Sequence, residues 1–510
     1  MELSFWDISF FLIFFISVIS ISMYKSRHEK SGEDFFLASR GLVWPFIGIS
    51  LIAANISTEQ FVGMSGQGAG NVGMAVASYE WMAAITLVVI AFFFLPKFLK
   101  AGIYTMPEYL EHRYTPAARS LMAFYTLLIY VGVTISAVLY SGALTLNTIF
   151  GMDFIFAVWL IGGIAALYTT WGGLKAVAWA DIFQGSALIL GGLLTLFLGL
   201  KAVGGIDAFQ AANADRLHMI LPADHPVIPW TALVIGLWIP NFYYWGLNQY
   251  ITQRTLAAKT LRDGQMGVIF AAGLKLIIPF AIVIPGIISL QLYGSQMEST
   301  DAAYPLLIKN LIPEGIRGFI FASIAGAVIS SLASMLNSAS TIFTMDVYKK
   351  HINKQAKPTS EVKIGRITTM VLVVIGCFIA PQLGNPRFQG IFNYIQEFQG
   401  FISPGILAAF IFGLFVKRAP VITGLVALIA SPVIYGFMYF VFSDIAFLNR
   451  MAITFVVILI SMAVLTLVKP LEKPVDMPER EGFDVKPDAK LKGMGITVVI
   501  LTVMLYIIFW

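Results

Sequence analysis

The chain has 510 residues, of which 58% are hydrophobic and only 12% are charged, and its mean hydropathy is +0.82. A soluble domain carries roughly 25% charged residues, so this composition excludes an ordinary soluble protein, a disordered chain and a nucleic-acid-binding protein. The formal net charge is +5, and the one cysteine, Cys377, lies in an apolar run, which excludes a disulfide framework and a cysteine-ligated zinc site. The sequence therefore predicts a polytopic membrane protein.

Apolar stretches long enough to cross a bilayer recur along the whole chain. A spanning helix needs about 20 apolar residues, and fourteen such stretches are bounded by charges, Gly/Pro turns or polar loops. The predicted spans lie near 5–24, 44–71, 76–96, 120–149, 154–171, 177–200, 230–249, 264–292, 316–347, 367–384, 390–416, 420–442, 447–468 and 493–510. They predict an all-α fold with 14 transmembrane helices.

The distribution of basic residues predicts the orientation of these spans. Lys25 and Arg27 directly follow the first span, so the positive-inside rule places that end in the cytoplasm and the N-terminus outside. The acidic flank at Glu2 argues against a cleavable signal peptide. With 14 crossings the C-terminus is also outside, and about 26 of the 33 Lys and Arg residues fall in cytoplasmic segments. The charge-rich stretch 469–492 is then a cytoplasmic linker.

Two of the predicted spans are interrupted by polar residues. The second contains AANISTEQ at 53–60 followed by a Gly-rich run, and the seventh contains PNFYYWGLNQ at 240–249. Polar groups inside a bilayer are costly, so both interruptions predict helices that are broken near mid-membrane. Broken helices five spans apart are typical of an inverted-repeat transporter with its site at the midplane. The alternative is that Gly and Asn only permit tight helix packing.

This interpretation divides the chain into two repeats and flanking segments. Because each repeat has an odd number of spans, the two repeats take opposite orientations in the membrane. The predicted divisions are 1–43 (first helix and cytoplasmic loop), 44–201 (repeat of spans 2–6), 202–229 (extracellular loop), 230–418 (repeat of spans 7–11) and 419–510 (peripheral spans 12–14, including the linker).

Ionisable and amide side chains also occur inside other spans, and each is a candidate functional residue. Lys275 is the only basic residue in the interior of a predicted span, away from its ends, and a lone ammonium there needs a carboxylate or several acceptors. It either pairs with one acid to join two helices or contacts a polar substrate. Asp181 serves either helix packing or ion handling, and for Glu59 and Glu397 structural and functional roles are equally open. Glu80 and Gln396 complete this set.

The ninth span has the highest density of hydroxyl groups in the chain. Hydroxyl-rich helices often pack through their small residues. A broken helix, however, offers free backbone carbonyls, and a hard monovalent cation prefers several neutral oxygens, so the two features together favour a cation site. The hydroxyl residues are Ser323, Ser330, Ser331, Ser334, Ser338, Ser340 and Thr341, with Ala327 among them.

Six segments of this chain strongly resemble the sodium:solute symporter family, in particular its bacterial sodium/galactose and sodium/glucose symporters. The segments are AANISTEQFVGMSG, ASYEWM, GGLKAVAWADIFQ, NFYYWGLNQYITQRTLAAK, GAVISSLASMLNSASTIFTMD and YIQEFQGFISPG. The resemblance implies a LeuT-type five-plus-five inverted repeat within 14 helices. It also implies a transporter, not an enzyme, that imports a neutral hexose with Na⁺ by alternating access across the bacterial inner membrane.

The resemblance also implies which residues form the sites. The sodium ligands are the backbone of Ala53, Ile56 and Ala327 and the hydroxyls of Ser330 and Ser331, with Asp181 helping the ion to leave toward the cytoplasm. The sugar-binding residues are Gln60, Glu80, Asn241, Lys275 and Gln396, with Asn55 nearby. Tyr244 is the inner gate, which stacks on the pyranose ring, and the outer gate consists of Met64, Tyr79 and Phe392.

The residue types in this set suit an uncharged, hydroxylated solute, because amides, a carboxylate and an ammonium can together satisfy a ring of hydroxyl groups. Glu80 and Lys275 can also neutralise one another. The family's serine after SYEWM is Ala83 here, which leaves the particular sugar open. Alternatives are myo-inositol, sialic acid, proline or an anion on the same fold, coupling to H⁺, and a sensor or channel built on this scaffold. The oligomeric state is left open.

Overall fold

The computed structural model describes residues 5–26, 36–314, 316–384, 390–480 and 488–510, the side chains of residues 171 and 172 excepted. Within these ranges the chain is helical, and the extended pairing consists of one isolated parallel bridge between Leu42 and Ala258. Around this bridge the Leu42 amide donates to the Ala257 carbonyl at 3.0 Å, and the Lys259 amide donates to the Leu42 carbonyl at 2.9 Å. The predicted all-α class is confirmed for the described residues.

The helices are numbered here in chain order, with short 3₁₀ turns left out. They are α1 (Phe5–Ser26), α2 (Trp44–Asn55), α3 (Glu59–Ala69), α4 (Gly73–Ala101), α5 (Met106–Arg113), α6 (Pro116–Phe150), α7 (Phe154–Thr170), α8 (Gly173–Ala202), α9 (Ile206–Asn213), α10 (Trp230–Val234), α11 (Trp238–Leu247), α12 (Gln249–Leu256), α13 (Leu261–Gln296), α14 (Ala303–Leu311), α15 (Ile316–Ile352), α16 (Pro358–Gly384), α17 (Ile391–Gln399), α18 (Ser403–Phe415), α19 (Ile422–Val441), α20 (Phe447–Val468) and α21 (Ala489–Ile508).

Ten of the described helices are long and apolar enough to cross a membrane, and the count rises to 12 when two bent pairs are each taken as one span. Two of the fourteen predicted spans account for the difference. The predicted span 154–171 corresponds to the shorter apolar helix α7, and the predicted span 230–249 is divided among α10, α11 and α12. The fold is therefore that of a multi-pass membrane protein, and the count of 14 stays a prediction.

Helix α15 lies at the centre of the molecule. In the most apolar window of α15, 89% of the residues are buried, against 17% in α1 and 22% in α20 and α21. The three outer helices therefore expose their apolar side chains, as expected for surfaces that face lipid. Glycine permits the closest approach near the centre, since a Cβ at Gly185 of α8 would lie 2.7 Å from the Cβ of Ala53.

Both breaks predicted in the second and seventh spans are confirmed. Helices α2 and α3 meet at 54°, and the second break lies at Asn248, whose ψ of 123° is extended. At this second break Tyr130 satisfies the Tyr250 amide, which a continuous helix would pair with a carbonyl one turn earlier, and it also engages the Asn248 side chain. The Tyr130 hydroxyl donates to Oδ1 of Asn248 and accepts from the Tyr250 amide at 2.9 Å.

A third break, within the predicted span 390–416, was not predicted. Helices α17 and α18 meet at 47° across residues 400–402. Pro404 lies in the first turn of α18, where its missing amide hydrogen is tolerated, and Gly400 caps the end of α17. Three discontinuous helices therefore converge on the same region of the molecule.

Candidate substrate and sodium sites

A small cavity lies where the discontinuous helices meet. Its volume is about 50 Å³, which is enough for a few water molecules. A hexose needs more space, so its binding requires the cavity to widen. The residues that line it are Asn55, Glu59, Gln60, Met64, Tyr79, Glu80, Thr134, Pro240, Asn241, Tyr244, Trp245, Tyr250, Phe392, Ile395, Gln396 and Gln399. Every substrate-binding and gate residue predicted from the sequence is among them, except Lys275.

Lys275 lies behind the cavity wall. Its side chain is fully buried, its Nζ donates to the Glu80 carboxylate and to Oδ1 of Asn55, and the ammonium lies 4.5 Å from the centre of the Trp245 ring. Of the two roles considered for Lys275, the geometry shows pairing with an acid. The ammonium neutralises Glu80 and orients two side chains that do reach the cavity.

Several polar groups around the cavity are left without hydrogen-bond partners among the described residues. Oε2 of Glu59 and Oε1 of Gln60 are both buried and unpaired. Buried acceptors of this kind are costly unless a ligand or water donates to them. Asn241 is partly satisfied, since its side-chain Nδ2 donates to the Leu237 carbonyl at 3.0 Å. The cavity therefore presents unpaired acceptors, which suit a ligand with several hydroxyl donors.

Aromatic residues bound the cavity at two positions. At the first, the rings of Tyr79 and Phe392 meet edge to face with 4.9 Å between their centres, beside the buried Met64. At the second, the Tyr244 hydroxyl accepts from the Asn55 amide at 3.0 Å and from the Tyr250 hydroxyl at 2.6 Å. The four residues predicted as gates therefore line the same cavity, Met64, Tyr79 and Phe392 at the first position and Tyr244 at the second.

The first break releases the backbone carbonyls that were predicted to bind sodium. In a continuous helix the Ser57 amide would donate to Ala53 and the Gln60 amide to Ile56. Instead, Ser57 donates to the Asn55 carbonyl at 3.0 Å, and Gln60 donates to the Ser57 carbonyl at 3.0 Å. The carbonyls of Ala53 and Ile56 are therefore freed from the helical pattern.

Helix α15, which carries the hydroxyl-rich sequence, packs against α2, the helix that ends at the first break. Ala327 and Ser331 are buried, and the Ser331 hydroxyl has no hydrogen-bond partner among the described residues. The Ser330 hydroxyl instead donates to Oδ1 of Asp181. Neutral oxygens of this kind suit a hard monovalent cation, and the unpaired Ser331 oxygen fits such a ligand set.

Asp181 connects three helices beneath the proposed cation site. Besides the Ser330 hydroxyl, its carboxylate accepts from the Ser50 hydroxyl and, at 3.0 Å, from the guanidinium of Arg254. Both roles considered for Asp181 are compatible with this arrangement, because the side chain joins helices and contacts a proposed sodium ligand.

Glu397, by contrast, has a structural role. Its carboxylate accepts from the Tyr435 hydroxyl at 2.7 Å and from the Arg450 guanidinium at 2.9 Å, so it ties α17 to α19 and α20. Glu397 is not among the residues that line the cavity, whereas Phe392, Ile395 and Gln396 of the same helix are.

A buried carboxylate outside the spans holds the start of α17. Oδ2 of Asp301 accepts from the Ile391 amide at 3.1 Å, and Oδ1 is buried without a partner among the described residues. Burial raises the pKa of Asp301 to about 6, and the hydrogen bond from Ile391 opposes that rise. Asp301 therefore links the segment before α14 to the helix that carries Phe392 and Gln396.

Sequence reasoning missed several residues of this region. Thr134, Trp245, Tyr250 and Gln399 line the cavity, and Arg254 is buried beneath it. A helical spacing from Gln396 would have indicated Gln399, which lies three residues further on the same face. Thr134 is a single hydroxyl in an apolar span, and nothing in the local pattern distinguishes it.

Comparison with known proteins identifies the family of the chain. The model of the sodium:solute symporter family matches residues 35–431. A sodium/glucose cotransporter of Vibrio parahaemolyticus is 39% identical over 100% of this chain and 99% of its own length. An uncharacterised symporter of Escherichia coli (strain K12) is 36% identical over 95% of this chain and 88% of its own, and sodium/glucose cotransporter 1 of Ovis aries is 33% identical over 81% and 68%.

The fold is also similar to solved transporter structures. A Na⁺-coupled sialic acid symporter in a substrate-bound outward-open state superposes with a TM-score of 0.82 over 93% of this chain and 100% of its own, at 23% identity. A nucleobase-cation-symport-1 family transporter in a closed conformation gives a TM-score of 0.56 at 14% identity, over 88% and 97%. The chain belongs to the sodium:solute symporter family, so it is a multi-pass membrane transporter, not an enzyme, and sodium is its coupling ion.

Proposed function

We propose that this protein imports a neutral hexose of the galactose or glucose type together with Na⁺ by alternating access. The observation that supports this most directly is the cavity at the breaks of the discontinuous helices, lined by amides, acids and three tyrosines among other residues. Its one neighbouring ammonium, Lys275, is engaged by Glu80 and Asn55. An anionic cargo would need a free cationic side chain, and none of the described lining residues is basic.

The proposed architecture has 14 spans that contain a LeuT-type five-plus-five inverted repeat. The breaks at α2/α3 and α11/α12 support it, since each lies at the start of one proposed repeat, 44–201 and 230–418. Segments 1–43 and 419–510 flank the repeats, and 202–229 is an extracellular loop. We place the protein in a bacterial inner membrane with both termini outside, on the strength of the basic residues in the proposed cytoplasmic segments.

In this proposal the sugar hydroxyls bond to side chains from several helices. Gln60, Glu80, Asn241, Gln396 and Asn55 donate or accept around the rim of the ring. Tyr244 covers the apolar C–H face, and Lys275 contributes through the groups that it orients. When the cavity widens, the unpaired oxygen of Gln60 gains a donor.

Sodium is the proposed co-substrate at the first break. The backbone of Ala53, Ile56 and Ala327 and the hydroxyls of Ser330 and Ser331 would hold it, and Asp181 would assist its exit. A cation shared between the broken helix and α15 fixes their relative position, which orders the neighbouring Asn55 and Gln60 for sugar binding. Sodium binding thereby raises the affinity for sugar, as coupled transport requires.

The sodium gradient supplies enough free energy for this cycle. One charge crossing 100 mV contributes about 2.3 kcal/mol, and a tenfold sodium gradient contributes about 1.4 kcal/mol. Together these support accumulation of a neutral solute by about 500-fold at one-to-one coupling.

Uptake by the purified full-length protein in liposomes tests the proposal. We expect labelled galactose or glucose to accumulate under an inward Na⁺ gradient and not under an equal K⁺ or H⁺ gradient. Unlabelled myo-inositol, sialic acid and proline serve as competitors. Strong competition by one of these with no hexose uptake would replace the proposed cargo, and accumulation driven by H⁺ alone would overturn sodium coupling at this site. Sodium-independent, non-saturable flux would indicate a channel instead.

A further inference from the structure

Arg254 is fully buried, although it lies just beyond the predicted span 230–249, where a charged residue of an exposed loop is expected. Its Nε donates to the Ser50 hydroxyl at 2.5 Å, and its Nη2 donates to Asp181 at 3.0 Å and to the Ser334 hydroxyl at 2.6 Å. Its Nη1 donates to the Tyr250 carbonyl. One side chain of α12 therefore joins α2, α8 and α15.

The same contacts reach the proposed sodium site. Asp181, which Arg254 holds through one carboxylate oxygen, accepts from the Ser330 hydroxyl through the other. Ser334, a second partner of Arg254, donates to the Ser330 carbonyl at 2.8 Å. Two short paths of hydrogen bonds thus connect the guanidinium to one proposed sodium ligand.

Arg254 also lies directly beyond the inner gate. Arg254 and Tyr250 both belong to α12 and are four residues apart. The Tyr250 hydroxyl donates to the hydroxyl of Tyr244, the proposed inner gate. In the proposed orientation, a path from the cavity to the cytoplasm passes the point where Arg254 joins four helices. Because a buried charge that loses its partner is strongly destabilised, the pair cannot separate without a compensating event.

We infer that Arg254 is a positioning residue for sodium coupling. It holds together the cytoplasmic ends of α2, α8, α12 and α15 and keeps Asp181 against Ser330; we call this set of contacts the latch. Opening of the cytoplasmic path separates Arg254 from Asp181. The carboxylate released by this separation then competes with Ser330 for the sodium ion and draws the ion toward the cytoplasm. This inference rests on the proposed sodium site.

Cysteine accessibility without any sugar tests the latch. Ser338 lies one helical turn from Ser334 and is buried, with its hydroxyl donating to Gln253 at 2.5 Å. In a full-length C377A/S338C background, a membrane-impermeant maleimide applied from the cytoplasmic side of membrane vesicles reports opening. We expect slow labelling that Na⁺ slows further, and for Arg254→Gln a rate about tenfold higher that Na⁺ no longer changes.

Arg119→Gln is the matched control. Its guanidinium also pairs with a buried carboxylate, Asp346, at 2.6 Å. This pair joins α6 to α15 and does not involve α2, α3, α11 or α12, the helices on either side of the first two breaks. Labelling should stay slow and sodium-sensitive in this variant. An equal increase in both variants would overturn the latch, because it would indicate general loosening.

Two further variants separate the latch from a simple loss of charge balance. The double variant D181N/R254Q removes both charges, so we expect fast, sodium-insensitive labelling to persist, whereas a return to the parent rate would overturn the inference. Arg254→Lys keeps the charge and should restore part of the sodium effect, and it replaces Arg254→Gln if that variant fails to fold. If all variants show the labelling rates expected for the latch but the protein takes up no hexose, the proposed cargo is overturned and the latch is not.

Discussion

The side-chain amide of Asn55 donates a hydrogen bond to the hydroxyl of Tyr244, with 3.0 Å between the two atoms. Asn55 is the last residue of α2, and Tyr244 lies in α11, four residues before the second break. The two helices that carry the predicted breaks are therefore joined at the cavity itself. Lys275 donates to the oxygen of the same Asn55 side chain, so the contact is held from both ends.

Tyr244→Phe should weaken this joint without removing the aromatic surface. It leaves the Asn55 amide and the Tyr250 hydroxyl without an acceptor, which costs about 1 kcal/mol and raises the half-saturating sugar concentration about fivefold. Tyr244→Ala also removes the ring and should abolish uptake. Tyr168→Phe is the control, because it removes a buried hydroxyl that donates to Ala176 at 3.0 Å, away from the cavity. Normal uptake by Tyr244→Ala would exclude the residue from the site.

Removing one member of the Lys275–Glu80 pair should be more harmful to stability than removing both. Lys275→Met or Glu80→Gln leaves a buried charge uncompensated, at a cost of roughly 3–5 kcal/mol, and the double variant should recover most of it. Thermal unfolding in detergent measures this, with Arg262→Gln as the exposed control. Sugar uptake should remain absent in the double variant. Additive losses would contradict direct coupling of the pair.

Ser331→Ala should weaken sodium activation while leaving the fold intact. The Ser331 hydroxyl makes no hydrogen bond within the described protein, so its removal costs little stability. Loss of one sodium ligand should raise the half-activating Na⁺ concentration about tenfold, equivalent to about 1.4 kcal/mol. Ser323→Ala on the same helix removes a hydroxyl that only bonds the Phe319 carbonyl and should leave sodium activation unchanged. Equal sodium curves for both variants would remove Ser331 from the site.

Asp301 should make stability depend on pH. Burial raises its folded pKa to about 6 from the ordinary value of 3.8, so the folded state binds this proton more tightly than the unfolded chain does. Its contribution is fully present below about pH 4 and is lost as the pH rises through about 6, by roughly 2–3 kcal/mol. Asp301→Asn keeps an acceptor for the Ile391 amide and should remove this part of the pH dependence. An unchanged melting profile between pH 4 and 7 would contradict it.

Most of the fold follows from local patterns in the sequence. Hydropathy predicts the long spans because a membrane helix is apolar over its whole length, and Asn55 to Gln60 predict the first break because those polar groups interrupt such a run. The break at 400–402 escaped prediction because Phe401 and Ile402 are apolar. Its signals are the polar residues in the stretch 396–399 just before it, which are compatible with a continuous helix, and Gly400 and Pro404, which also occur in continuous membrane helices.

The seventh span shows what local patterns do not contain. The predicted span ends at Gln249 because Gln253 and Arg254 are polar, whereas α12 continues to Leu256 with both side chains buried. The burial of Arg254 depends on Asp181, a residue 73 positions away, and no local periodicity reports such a partner. For the same reason the sequence leaves both roles of Lys275 open, because its partners Glu80 and Asn55 lie far away along the chain.

The short bridge between Leu42 and Ala258 has a mechanical consequence. It stitches the chain just ahead of α2 to the chain just after α12 by main-chain bonds, which survive any change of side chain. The start of α2 and the end of α12 are therefore joined directly by main-chain hydrogen bonds. We therefore expect a tilt of α2 at that end to move α12 as well.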